Sequence, residues 1–260
     1  MINRRWMTFW RLLKTGKIEE LSIRIFRLIK RSINRKPEVN YSKWRSKWVE
    51  LDKEEKKQIQ RRIKNLAHLP SFTLLLEFDK SNESSLIATI ESVIAQLFPN
   101  WILIITNHQK LNPNDLEQIF LLDDSRIKFL DASSLELGDW VLELKSGTTL
   151  HEAALFATAI AIIENSEILL IYSDQDHIDT NGKYCDPYLK PDWNSDLFAA
   201  INYISPFVVC KREFWETERE KTSDQYTFLL QATKQLNRQK ILHLPYILAT
   251  TKIYDKTYLN

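Results

Sequence analysis

Phe72-Thr73-Leu74-Leu75-Leu76-Glu77-Phe78 is a nearly unbroken apolar run, preceded by Pro70-Ser71 and followed by the polar stretch Asp79-Lys80-Ser81-Asn82-Glu83. A run of that length with breakers on both sides reads as a buried strand. The chain then repeats the pattern. Leu86, Ile90, Val93 and Ile94 recur at helical spacing and predict a helix over 86–96. Pro99-Asn100 marks a turn, and Trp101-Ile102-Leu103-Ile104-Ile105-Thr106 is a second apolar run. Further on, the pattern predicts a helix over 114–122 capped near Asn112, strands over 127–130 and 140–144, a helix over 150–164 and a strand over 167–173. A strand over 207–211, a helix over 226–236 and a last strand over 241–248 complete it. This alternation predicts an α/β domain: a mostly parallel sheet with helices on both faces. Such sheets bind ligands at the carboxyl ends of their strands. Asn181-Gly182, between Ile178 and Tyr184, signals a two-residue hairpin. Residues 186–206 contain Pro187, Pro191 and Pro206 and read as a long loop or short helix crossing the sheet.

Upstream the character changes. Residues 1–66 hold 20 Lys and Arg against 7 Asp and Glu, a balance of +13; the whole chain nets +2, so residues 67–260 carry −11. A basic helical leader, 1–66, is expected ahead of an acidic domain, 67–260. Over residues 1–35, Trp6, Phe9, Trp10 and Leu13, then Leu21, Ile25, Ile29 and Ile33, fall at helical spacing. Arg4, Arg5, Arg11, Lys14 and Lys17 surround the first stripe. Such a helix suits an anionic membrane surface; docking on its own domain or on a protein is the other reading. The charge comes with no nucleic-acid fold signature, and no nucleic-acid partner is expected. Residues 41–66 read as a second helix, with Asp52 as an internal N-cap and Glu54 and Glu55 after it.

Composition excludes several classes. With only 4 glycines there is no GxGxxG and no GK[ST] phosphate loop. Cys185 and Cys210 stand 25 residues apart without CxxC spacing, which argues against a zinc site and for two free thiols in a reducing compartment. No apolar stretch reaches bilayer-spanning length, and charges interrupt any signal-peptide core. The expected location is the cytoplasm. No two of His68, His108, His151, His177 and His243 stand at i,i+4, so they write no helical metal site.

Few residues can do chemistry. Asp174 and Asp176 stand where a strand over 168–172 is expected to end. Two carboxylates there can hold Mg or Mn and leave room for a diphosphate. Acids at strand ends also pin loops, and the motif alone leaves both readings open. Asp186, Lys190 and Asp192 share the proline-rich crossing with Tyr188 and Trp193. That mixture can contact a sugar or phosphate, or hold the loop on itself.

Four segments in order carry a resemblance: Leu97-Phe98-Pro99-Asn100-Trp101, Asp124-Ser125-Arg126-Ile127-Lys128, Ile171-Tyr172-Ser173-Asp174-Gln175-Asp176-His177-Ile178-Asp179 and Asp186-Pro187-Tyr188-Leu189-Lys190-Pro191-Asp192-Trp193. Together they resemble a bacterial family 2 glycosyltransferase of the GT-A fold, of the kind that builds surface polysaccharides. The likeness covers residues 41–250. It implies transfer of a sugar from a nucleotide-sugar to an acceptor hydroxyl, with a divalent metal on a D-x-D motif neutralising the leaving diphosphate and an aspartate as general base.

Carried over residue by residue, those functions find no home. The family's metal motif follows the strand matched by 140–144, where this chain has Lys145-Ser146-Gly147-Thr148. A lysine cannot ligate the cation as a carboxylate does, though it can pair with a phosphate. After the second strand, where acids meet the nucleoside, stands Asn107-His108-Gln109. The base position, before a helix opening like Tyr226-Thr227-Phe228-Leu229-Leu230, is Gln225 beside Asp224, and the loop between Trp215 and Asp224 is short. Asp174-x-Asp176 matches a later motif of the family, not its metal motif.

The resemblance therefore implies a family 2-like domain degenerate at its catalytic motifs, acting as a binding or scaffolding module in polysaccharide assembly. The alternative is a working transferase with a metal-independent donor site. Asp224 is the candidate catalytic residue. Lys145, Asp174, Asp176, Lys190 and Asp192 are the candidate donor-binding residues. No metal ligand is assigned and no cofactor is expected, Mn or Mg entering only where a metal site survives. The candidate partners are a nucleotide-sugar, an active glycosyltransferase, and the anionic inner face of the membrane through residues 1–35.

Overall fold

Phe72 lies in register between Trp101 and Trp140, its neighbours on two parallel strands. The structure, a computed structural model, describes residues 40–78, 85–129, 137–219, 222, 224–234 and 236–252. The helix expected over residues 1–35 lies outside the described residues. The chain divides into two compact units after Trp44, and the sheet belongs to the second, Arg45–Asn260.

The described elements are α1 (Tyr41–Trp48), α2 (Lys53–Lys64), β1 (Phe72–Glu77), α3 (Leu86–Ile94), β2 (Trp101–Thr106), α4 (Pro113–Leu121), β3 (Ile127–Phe129), β4 (Trp140–Lys145), β5 (Thr148–Leu150), α5 (Ala154–Glu164), β6 (Leu170–Ile178), β7 (Tyr184–Tyr188), α6 (Ser195–Ala200), β8 (Val208–Lys211), α7 (Arg212–Arg219), α8 (Gln225–Lys234) and β9 (Ile241–Lys252). The strands run β3-β2-β1-β4-β8-β6-β9-β5, with β7 on β6. β1 to β4 pair in parallel, as do β6 and β9. β8 is antiparallel between β4 and β6, and β5 and β7 are antiparallel at the margins. The expected mostly parallel sheet is present.

Strand alternation divides the core. Leu74, Leu76, Leu103, Leu142 and Ile171 pack with Ile90 and Val93 of α3 and Leu155 and Ala159 of α5. The other face joins Leu170, Tyr172, Val208 and Cys210 to Phe198 of α6 and Phe228, Leu229 and Ala232 of α8. Residues 170 to 172 thus alternate between two cores, which is why helices cover both faces.

Several expectations are corrected. The helix read over 41–66 is two helices. The Asp52 side chain accepts from Glu54 and Glu55 N–H at 2.8 and 2.9 Å, while Glu55 accepts from the Asp52 N–H at 2.8 Å. This reciprocal box starts a new helix at Lys53. The helix read over 150–164 starts at Ala154, because Thr148–Leu150 pairs with β9. The strand read over 167–173 continues to Ile178, so Asp174 and Asp176 lie within it. Helix α7 was not anticipated from the sequence. A hairpin turns at Asn181-Gly182, with Ile178 paired to Tyr184, but its loop is longer than the expected two residues: the Asp179 N–H donates to the Lys183 carbonyl at 3.0 Å with Thr180, Asn181 and Gly182 between them, and Gly182 takes φ 77°. A positive φ at that corner is what glycine supplies without steric cost.

Candidate functional site

The register puts Thr106, Glu77 and Lys145 side by side at the carboxyl ends of β2, β1 and β4. This edge floors a cleft of about 410 Å³, walled by Trp215 and Arg219 of α7 and by Asp224 and Gln225 at the start of α8. Small-molecule sites span roughly 300–1,000 Å³. Lys145 and Glu77 are exposed. Glu143, two residues back on β4, accepts from Trp215 Nε1 at 2.8 Å and from Arg219 Nε at 2.7 Å. Arg219 Nη1 also donates to the Thr222 carbonyl at 2.8 Å. One carboxylate therefore fastens α7 to the sheet and aims a guanidinium along the cleft.

Asp224 Oδ1 accepts the Thr227 N–H at 2.9 Å and so caps α8. The hydrogen bonds at Thr227 hold its carboxyl below the usual carboxylate range. It is ionised at neutral pH, and its capping role explains why an acid stands there in a protein of any activity. Lys145 and Asp224, far apart in sequence, line one cleft.

The remaining sequence candidates lie elsewhere. Asp174, Asp176 and Lys190 are buried. Asp174 Oδ1 accepts from the Lys190 N–H and from His243 Nε2, both at 2.8 Å. His243 stacks on Tyr172 at 4.9 Å, and Tyr172 donates to the Pro191 carbonyl at 2.7 Å. Lys190 Nζ donates to the carbonyls of Ile204 and Ser205 at 2.7 and 2.9 Å. Burial lowers its pKa from 10.5 to about 7. Asp176 is bonded to Arg45 Nε at 2.7 Å and Thr250 Oγ1 at 2.5 Å. The segments around Asp174 and Lys190 form one buried network that pins the proline-rich crossing to β6 and β9. Neither Asp174, Asp176 nor Lys190 lines the cleft. Asp192, with a side chain 78% exposed, reaches His243 Nδ1 at 3.4 Å and belongs to the rim of that network.

Glu77, Thr106, Glu143, Trp215 and Arg219 were missed from the sequence. Glu143 was detectable as a lone acid between Leu142 and Leu144 in a buried strand. Arg219 had no signal, because its helix was not foreseen. Of the acids in play, Glu143 is held by Trp215 and Arg219, Asp224 caps α8, and Asp174 and Asp176 are bonded inside the protein, while β4 ends in an ammonium beside Glu77. Among the described residues no three His, Cys, Asp or Glu side chains are placed to hold a metal.

Staphylococcus aureus TarS, solved as residues 1–349 with UDP-GlcNAc, superposes with a TM-score of 0.56 at 13% identity, over 71% of this chain and 59% of that one. The fold is that of a GT-A glycosyltransferase. The same TarS fragment solved with UDP matches this chain with a TM-score of 0.52 at 13% identity, over 70% of this chain and 60% of that one. No family model matches the chain. The domain is 29% identical over 170 residues to the O-antigen biosynthesis protein RfbC of Myxococcus xanthus, covering 59% of this chain and 13% of that protein. It is 26% identical over 206 residues to an uncharacterized protein of Sinorhizobium fredii, covering 72% of this chain and 23% of that protein. The chain thus spans less than a quarter of either relative. Among the described residues no helix is long and apolar enough to cross a membrane.

Proposed function

We propose that the domain binds a nucleotide-sugar in the β1–β2–β4 cleft and serves surface-polysaccharide assembly as a catalytically impaired binding or scaffolding module. One observation carries this reading: the edge where the family places metal-binding carboxylates presents Lys145. An ammonium attracts a phosphate directly and needs no cation between them. Gln225, at the family's base position, cannot take a proton. Scaffolding an active glycosyltransferase at the cytoplasmic face of the membrane, with residues 1–35 on anionic lipid, is part of the same reading.

Thermal unfolding with UDP, GDP and their sugar conjugates, with and without manganese, tests it. A ligand at about 100 times its Kd stabilises by roughly 2.7 kcal/mol. A metal-independent shift, lost in Lys145→Ala, with no sugar transfer by the pure protein, is the expected result. A shift that requires manganese, or transfer that depends on it, would overturn the reading.

A second reading draws support from Lys145 and Asp224 sharing one cleft. Here the acceptor oxygen attacks the anomeric carbon, the bond to the diphosphate oxygen breaks with its electron pair on the diphosphate, and Asp224 takes the hydroxyl proton. Both Lys145→Ala and Asp224→Asn then abolish metal-free turnover. Wild-type rates in the two variants exclude this mechanism.

A further inference from the structure

Helix α2 has two unlike faces. Ile63 is buried in the core, and Ile59 packs against it. Lys56 pairs with Glu152 at 2.7 Å and Arg62 with Glu164 at 3.5 Å, near the two ends of α5, so α2 lies along that helix. On the opposite side Lys53, Lys57, Arg61 and Lys64 recur at i, i+4, i+8 and i+11. That spacing is one stripe of a helix, and all four residues are exposed. Lys57 pairs with Glu54 at 2.7 Å; Lys53, Arg61 and Lys64 make no ion pair among the described residues. Just upstream, Trp48 is 66% exposed and carries the Lys47 ammonium 4.7 Å from its ring centroid.

We infer that this stripe, with Trp48, is the surface by which the folded unit meets an anionic bilayer. Each Lys or Arg near such a surface contributes about 1 kcal/mol of attraction, and an indole favours the interface. Residues 67–260 carry −11 and are repelled by the same surface, so the domain meets it through its N-terminal helices. A nucleic acid also matches the charge. The exposed indole, and the Trp6-Phe9-Trp10-Leu13 stripe earlier in the chain, favour the lipid interface. The inference extends the membrane reading from residues 1–35 to the folded unit, and the two fail separately.

Cosedimentation of the full chain with phosphatidylcholine vesicles, with and without phosphatidylserine, is the test. One variant replaces Arg4, Arg5, Arg11, Lys14 and Lys17 with Ala; a second adds Lys53→Gln, Lys57→Gln, Arg61→Gln and Lys64→Gln. The first is expected to keep phosphatidylserine-dependent binding, and the second to lose at least about tenfold in partitioning. Hydrogen exchange over residues 45–66 of the wild-type chain is expected to slow only with phosphatidylserine present. The stripe is exposed, so its substitution should leave the thermal midpoint unchanged; if that variant does not fold, Arg61→Gln and Lys64→Gln singly, with the exchange measurement, decide. Complete loss of binding in the first variant overturns the stripe and leaves the leader standing. Equal binding by the two variants, unchanged exchange over 45–66, or binding to duplex DNA without binding to vesicles also overturns it.

Discussion

Arg45 Nε lies 2.7 Å from Asp176 Oδ2, with the two side chains 7% and 0% exposed. The guanidinium sits 3.4 Å from the Tyr184 ring centroid, and Thr250 donates to the other Asp176 oxygen at 2.5 Å. The buried Arg45–Asp176 pair so ties Arg45 to β6, β7 and β9. Breaking a buried pair costs up to about 3–5 kcal/mol; Arg45 Nη1 keeps the half-exposed Glu50 carboxylate at 3.1 Å, which offsets part of that loss. Asp176→Asn should lower the urea midpoint accordingly, and Thr250→Val by about 1 kcal/mol. An unchanged midpoint in Asp176→Asn would show that the pair contributes nothing.

Lys190 predicts a pH dependence. Its folded pKa of about 7 lies below its ordinary value of 10.5 because the amine is buried. Between those values the unfolded chain holds a proton that the folded chain has released, so stability rises with pH. Below the folded value both states are protonated and the contribution is constant. Relative to Lys190→Met, the wild-type protein should gain stability through that window with a slope of up to ~1.4 kcal/mol per pH unit. Parallel stability curves for the two proteins would refute it.

Glu143 predicts a link between the sheet and the cleft. Glu143→Ala removes the acceptor shared by Trp215 and Arg219. The expected cost is about 1–3 kcal/mol, together with, on the proposed reading of the cleft, weaker nucleotide binding as α7 loosens. Calorimetric titration with UDP checks the second effect; unchanged affinity in a destabilised variant would confine Glu143 to a structural role.

Gly138 is set by close approach. A Cβ there would lie 2.9 Å from both the carbonyl carbon and the oxygen of Ser71. Its N–H donates to Thr73 Oγ1 at 2.8 Å, which fixes it against β1. Overpacking of this kind costs about 1–3 kcal/mol, so Gly138→Ala should melt measurably earlier than wild type. An equal melting temperature would mean that the Ser71 backbone yields.

Much of the fold was legible. The apolar runs at Phe72 and Trp101 became β1 and β2, and Asn112 caps α4 as expected. Periodicity could not tell where Leu150 belonged, because an apolar residue beside a helix suits strand and helix alike. The site was less legible. Lys145 and Asp224 were named from their places in motifs, whereas Glu77, Thr106 and Arg219 became neighbours only through strand register and helix packing.

By itself the sequence determined most of the element types, the presence of a turn at Asn181-Gly182 and the charge division near residue 66, since these rest on local spacing and composition. Tertiary structure alone decided the fate of the acids. Asp174 and Asp176 alternate along a strand whose surroundings supply Arg45, Thr250, His243 and the Lys190 N–H, all from distant positions. A carboxylate's role depends on the partners brought to it in space, and a one-dimensional motif does not contain them.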